Sequence, residues 1–127
     1  MLSRGLLSGS RSVGPQDFRA HLPRFTGANL ARNEKLVAAL TQVASSLGAS
    51  GSQVAMAWAA ARGRRLGLDL VPLVGARTLA QLEEALGALS LSLGAADLER
   101  IEAAMPQDAV AGTRYDAFQM SHLDSEK

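Results

Sequence analysis

The chain has no cysteine, which excludes disulfides and thiolate metal sites. It has almost no lysine. Lys35 and Lys127 are the only lysines among 13 basic residues, and the arginines are scattered rather than striped along one face. The formal net charge is +1, so no strong field draws in nucleic acid or a membrane surface. His21 and His122 stand far apart without metal-ligand spacing and read as two surface histidines, so no metal is expected. No apolar run approaches the roughly 18 residues that span a bilayer, so no membrane partner is expected. What is there is a chain of 127 residues, the length of one ordinary domain.

Residues 1–14 hold Arg4, Arg11, four serines and no acid, loosely the composition of a transit peptide. Gly5, Gly9 and Gly14 make a poor amphipathic helix, so a glycine-rich loop and a cytoplasmic location are the expectation. Residues 1–28 read as loop, with one short helical turn around Asp17-Phe18-Arg19. A helix is predicted from Asn29 to Leu47, with Leu30, Leu36, Val37, Leu40, Val43 and Ala44 on one face and Gly48 closing it. Ser50 and Gln53 form a capping box that opens a second helix, ending near Gly63; Trp58 within it reads as core.

Leu68 to Val74 reads as a short strand, apolar almost throughout, with Pro72 removing one ladder donor. Thr78 and Gln81 have the spacing of another capping box, opening a helix to about Leu89 with Leu79, Leu82 and Leu86 as its buried stripe. A last helix runs from about Ala95 to Met105, with Leu98, Ile101 and Met105 inward, and Pro106 stops it. Residues 107–127 have no strong period and read as a loop. One lone apolar strand must pair with neighbours that this chain does not contain, which implies a piece of something larger.

The stretch Val71-Pro72-Leu73-Val74-Gly75-Ala76-Arg77-Thr78 is the most informative. A helix N-terminus presents free N–H groups and partial positive charge, and Arg77 adds a full one. Glu84, one to two turns on, can accept from a hydroxyl or an amine. These groups suit a phosphate-bearing nucleotide; an ordinary strand-to-helix junction with a solvated arginine is the competing reading.

Five stretches, in order along the chain, carry a resemblance to a known family. Ser3-Arg4-Gly5-Leu6-Leu7-Ser8-Gly9 is similar to a G-R-G-F-L-T-G loop. Pro23-Arg24-Phe25, Asn29-Leu30-Ala31-Arg32-Asn33 and Ser52-Gln53-Val54-Ala55-Met56-Ala57-Trp58 follow in order. Val71-Pro72-Leu73-Val74-Gly75-Ala76-Arg77 through Leu82-Glu83-Glu84-Ala85-Leu86-Gly87 resembles I-P-I-P-G-T-R…L-E-E-N-L. The chain resembles the C-terminal part of an aldo-keto reductase of the short-tailed bacterial type. The resemblance implies an α/β fold, the C-terminal part of a (β/α)₈ TIM barrel, mostly helical as an isolated chain. Residues 1–28 would be the loop after strand seven, 29–64 an extra helix and helix seven, and 68–89 strand eight and helix eight. Residues 95–105 would be a second extra helix, and 106–127 the tail.

In such barrels the loops after strands seven and eight carry a phosphate site. The resemblance implies NADP(H) as cofactor, with NAD(H) open. Ser3, Arg4, Gly5 and Leu6 would line its pyrophosphate, Gly75, Ala76 and Arg77 would hold the 2′-phosphate end, and Gln81 and Glu84 would sit near the adenosine. The sequence departs from the family at Ala76 (usually Ser or Thr), Gln81 (commonly Arg) and Ala85 (usually Asn), each losing a polar contact and leaving the preference for NADPH over NADH open.

A whole barrel needs about 250 residues. The family's catalytic Asp, Tyr, Lys and His come earlier than the segments matched here. Tyr115 is in the tail and is not the family's proton donor, and Lys35 has no His or Asp at useful spacing, so no catalytic residue is assigned. The expectation is a nicotinamide-dinucleotide grip without reductase activity of its own, meeting a carbonyl substrate only in an intact barrel. Stripes meant for the barrel are expected to face water. Two other classes compete: a helical protein-interaction module using that apolar face, and a helix-turn-helix over residues 36–63. The second helix of the latter should present polar readers near its start, and Gln53 stands alone there.

Overall fold

A computed structural model describes residues 3–9 and 14–124. The basic, serine-rich stretch at residues 10–13 and the last residues, 125–127, lie outside this description. The described regular elements are all helical: α1 (Gly27–Ser46), α2 (Gly51–Arg65), α3 (Leu79–Gly87), α4 (Ala95–Ala104) and α5 (Ala117–Met120), with short 3₁₀ turns between and before them.

α1 begins two residues before the predicted start, at Gly27, whose φ of 52° is a left-handed value that glycine adopts without strain. Its apolar positions fall on one side, with Leu40 and Ala44 buried. The helix ends in a Schellman motif: the Ala49 N–H donates to Ala44 O and the Gly48 N–H to Ser45 O, with Gly48 at φ 65°. α2 opens on the expected capping box, the Ser50 Oγ accepting from the Gln53 N–H and the Gln53 Oε1 from the Ser50 N–H.

α2 runs two residues past the expected end near Gly63, to Arg65, for a physical reason. Gly63 sits inside the helix, buried, and a Cβ there would stand 2.8 Å from Leu70 Cβ. Its smallness admits the following chain rather than stopping the helix. Gly67 (φ 68°) makes the stop, again as a Schellman motif, with Leu68 N–H to Gly63 O and Gly67 N–H to Arg64 O.

The expected strand at 68–74 is also corrected. Among the described residues this run belongs to no regular element and no ladder, because no second strand lies beside it. Val71 and Leu73 are 80% and 84% exposed. The stripe of α3 is likewise exposed rather than buried: Leu79, Leu82 and Leu86 keep 70%, 46% and 54% of their surface in water. Helical period aligns these leucines on one face, but no described element covers that face.

The core lies on the other side. Leu40 and Ala44 of α1, Val54 of α2 and Ile101 of α4 pack together, with Trp58, Leu7, Val43 and Met105 against them. Leu6, Leu22 and Phe25 form a second cluster with Val37 and Tyr115. The tail is mostly loop, as expected, but α5 interrupts it, and it is pinned to α1. The buried Asn33 donates to Ala111 O and Arg24 O, both at 2.9 Å, and accepts from the Ala111 N–H at 2.8 Å.

Candidate functional site

Two chain segments meet at one cavity. The first is the Ser3–Gly5 turn. Ser3, Arg4 and Gly5 all have left-handed φ (50°, 56° and 88°). For the two non-glycine residues that conformation costs about 1–2 kcal/mol each, and it persists only where neighbours hold it. Leu6, 8% exposed, anchors the turn in the core with Leu22 and Phe25. The Ser8 hydroxyl donates to Gly5 O at 2.9 Å, and Arg19 Nη1 donates to Arg4 O at 3.2 Å.

Arg19 is itself fixed. Its Nη2 stands 2.7 Å from Asp17 Oδ2, its Nε reaches both Asp17 oxygens at 3.1 Å, and its guanidinium lies 5.9 Å from the Phe25 ring centroid. The Asp17 hydrogen bonds, with the Asp17 charge adding to them, raise the Arg19 pKa above its ordinary value despite some desolvation. The expected turn at Asp17-Phe18-Arg19 is the 3₁₀ segment Phe18–His21, with Asp17 as its cap.

The second segment is the entry to α3. The Thr78 hydroxyl accepts from the Gln81 N–H at 3.3 Å. The capping box read at this pair is only half made, because Gln81 Oε1 accepts from the Arg77 N–H at 2.8 Å, one residue before the cap. The N–H groups of Leu79 and Ala80 have no partner within the helix and carry the positive end of its dipole. Glu84 accepts from a hydroxyl of the protein itself: Ser50 Oγ donates to its Oε1 at 2.7 Å, while Gln53 Nε2 donates to its backbone oxygen at 3.1 Å. The Gln53 side chain is therefore committed between α2 and α3, which removes the single base-reading candidate of the helix-turn-helix alternative.

Between the two segments lies a cavity of about 990 Å³, floored by Ser52 and Met56 of α2. Six of the nine residues singled out from sequence line it: Arg4 and Gly5 from the first segment, and Gly75, Arg77, Gln81 and Glu84 from the second. Three do not. Leu6 turns into the core. Ala76 faces a separate cavity of about 460 Å³ beside Pro72 and Leu82. Ser3 is half-buried in its turn and stays off the lining. Sequence reasoning missed Ser8, Gln16, Asp17, Arg19 and Ser52 as lining residues. An Asp-x-Arg pair in a short turn was the available signal for two of these.

The volume stands at the upper end of the roughly 300–1,000 Å³ of small-molecule and cofactor sites. The charge pattern suits an anion. Among the described residues, no ion pair joins Arg4 or Arg77 to a carboxylate, whereas Asp17 and Glu84, the acids of the lining, are held by Arg19 and Ser50. No tyrosine, lysine or histidine is among the described lining residues. No group of three or more potential metal ligands is found among the described residues, and none of their helices is long and apolar enough to cross a membrane.

The model of the aldo/keto reductase family matches residues 1–106. The chain is 33% identical over 118 residues to the aldo-keto reductase yakc of Schizosaccharomyces pombe, whose name carries NADP(+), covering 90% of this chain and 34% of that protein. It is 33% identical over 118 residues to a probable aldo-keto reductase 1 of Glycine max, covering 90% of this chain and 33% of that protein. It is 28% identical over 117 residues to an aldo-keto reductase of Strobilurus tenacellus, covering 89% of this chain and 34% of that protein. The chain thus spans about a third of the length of the curated relatives it matches. No solved structure matches it.

Proposed function

The chain belongs to the aldo/keto reductase family, and from that premise we propose that the cavity between residues 3–8 and 73–85 grips a nicotinamide dinucleotide, NADP(H) first and NAD(H) as its competitor. One observation carries the reading: Arg4 and Gly5 line the same cavity as Gly75 and Arg77, although most of the helical chain separates them in sequence. Arg4 would meet the pyrophosphate, and Arg77 with the first turn of α3 would meet the 2′-phosphate end. Ala76 and Ala85 offer no side-chain donor, and Gln81 brings an amide where a cation would strengthen the grip on phosphate.

In this reading residues 68–74 correspond to the eighth barrel strand and α3 to the eighth barrel helix. α1 and α4 are then the two extra helices, and α2 the seventh. The exposed apolar run and the exposed stripe of α3 support it, because strand and helix of a barrel expect neighbours on those faces.

The dinucleotide, when bound, supplies a hydride for a carbonyl carbon. This chain's residues bind and orient it. The described lining has no tyrosine, lysine or histidine to deliver a proton to the resulting oxygen, so the chain by itself binds without turning over. The test is a titration of the purified chain with NADPH, followed by addition of a reactive aldehyde. Saturable binding with no enzyme-dependent oxidation is expected. Absence of binding removes the grip, and turnover removes the division between binding and chemistry.

A further inference from the structure

Arg4 is held by two aromatic rings from different parts of the chain. Its guanidinium carbon lies 5.3 Å from the centroid of Phe18 and 4.8 Å from the centroid of Tyr115, both within cation–π reach. Phe18 comes from the 3₁₀ turn capped by Asp17. Tyr115 comes from the tail, beyond residues 1–106 that the family model matches. The tail just before Tyr115 is fixed: Ala111 is bonded twice to Asn33, and Gly112 O accepts from Arg24 Nε at 3.1 Å. Thr113 Oγ1 donates to Tyr115 O at 2.8 Å, and the ring packs on the Leu6, Leu22 and Phe25 cluster.

These contacts need an explanation. Arg4 sits in a strained left-handed turn on the cavity wall, is exposed, and makes no ion pair among the described residues. A long exposed side chain normally keeps its rotamer freedom, and ordering it on binding weakens affinity. Aromatic rings that engage the guanidinium faces leave its N–H groups at the edge available to acceptors.

We propose that Tyr115 and Phe18 are positioning residues that pre-order the Arg4 guanidinium for the anionic part of the ligand, so that the tail takes part in the cofactor site. The proposal rests on the dinucleotide reading above, and its test separates the two. In the full chain, Tyr115→Leu keeps apolar packing and removes the ring, whereas Tyr115→Phe keeps a ring. Phe18→Leu changes a residue that is 51% exposed, on a different element, and so controls for a folding defect. Two readouts are taken for each: NADPH affinity, and the ring-current shift of the Arg4 side-chain protons without ligand.

Tyr115→Leu and Phe18→Leu are each expected to weaken NADPH binding by roughly three- to tenfold and to move the Arg4 protons toward their unshielded positions. Tyr115→Phe should match the parent chain in both readouts. Parent and leucine variants binding NADPH equally would overturn the positioning role while leaving the cofactor reading intact. An Arg4 shift that is absent in the parent chain would overturn it as well. A parent chain that shows the shift but does not bind NADPH would overturn the cofactor reading, and with it the purpose assigned to the rings.

Discussion

The Ser50 hydroxyl stands 2.7 Å from Glu84 Oε1 and also accepts from the Gln53 N–H at 3.2 Å. One side chain therefore starts α2 and ties it to α3, the helix that carries the second wall of the cavity. Ser50→Ala removes both bonds and is expected to lower stability by about 1–2 kcal/mol, seen as a lower urea midpoint. Glu84→Gln keeps an acceptor oxygen and should lose less. An unchanged midpoint in Ser50→Ala would contradict this arrangement.

Asn33, 1% exposed, fastens the tail through three hydrogen bonds. Asn33→Leu leaves the Ala111 N–H and two carbonyl groups without their partner, an expected loss of about 2–3 kcal/mol. Limited proteolysis should reveal it first, as new cleavage between residues 106 and 116. A cleavage pattern identical to that of the parent chain would show that the tail is held by something else.

Leu79, Leu82, Leu86 and Leu89 are all exposed. A surface of this kind binds hydrophobic dyes and other copies of itself. Leu86→Lys is expected to reduce both dye fluorescence and self-association by light scattering, at little loss of helix signal. A sharp fall in melting temperature instead would mean that Leu86 is buried.

In the proposed dinucleotide site Arg77 is the residue that would distinguish the two cofactor forms. Arg77→Ala should weaken NADPH binding by roughly three- to tenfold, a modest figure because the group is exposed, and leave NADH binding nearly unchanged. Equal losses for both would move Arg77 away from the 2′-phosphate.

Helix ends are legible where their chemistry is local. Ser50 with Gln53, Gly48 and Pro106 mark boundaries that the structure shows within a residue or two. Gly63 reads as a stop yet serves as a gap, because a glycine's role depends on what approaches it, and Leu70 is seven residues further along. The run 68–74 has the composition of a strand but forms none among the described residues, because a ladder needs a neighbour and no single strand encodes one. The period of Leu79, Leu82 and Leu86 aligns a face without saying what covers it. In the cavity, the charged and glycine positions could be picked out by motif. The approach of Tyr115 to Arg4 could not, because no local pattern links a tail tyrosine to a turn near residue 4.

Two distant segments are proposed to form one dinucleotide site. Amide chemical-shift mapping of the full chain during an NADPH titration tests it most directly. Arg4, Gly5, Gly75, Arg77 and Gln81 are expected to shift together along a single saturation curve. Shifts confined to one segment, or centred on the separate cavity beside Trp58 and Glu102, would contradict it.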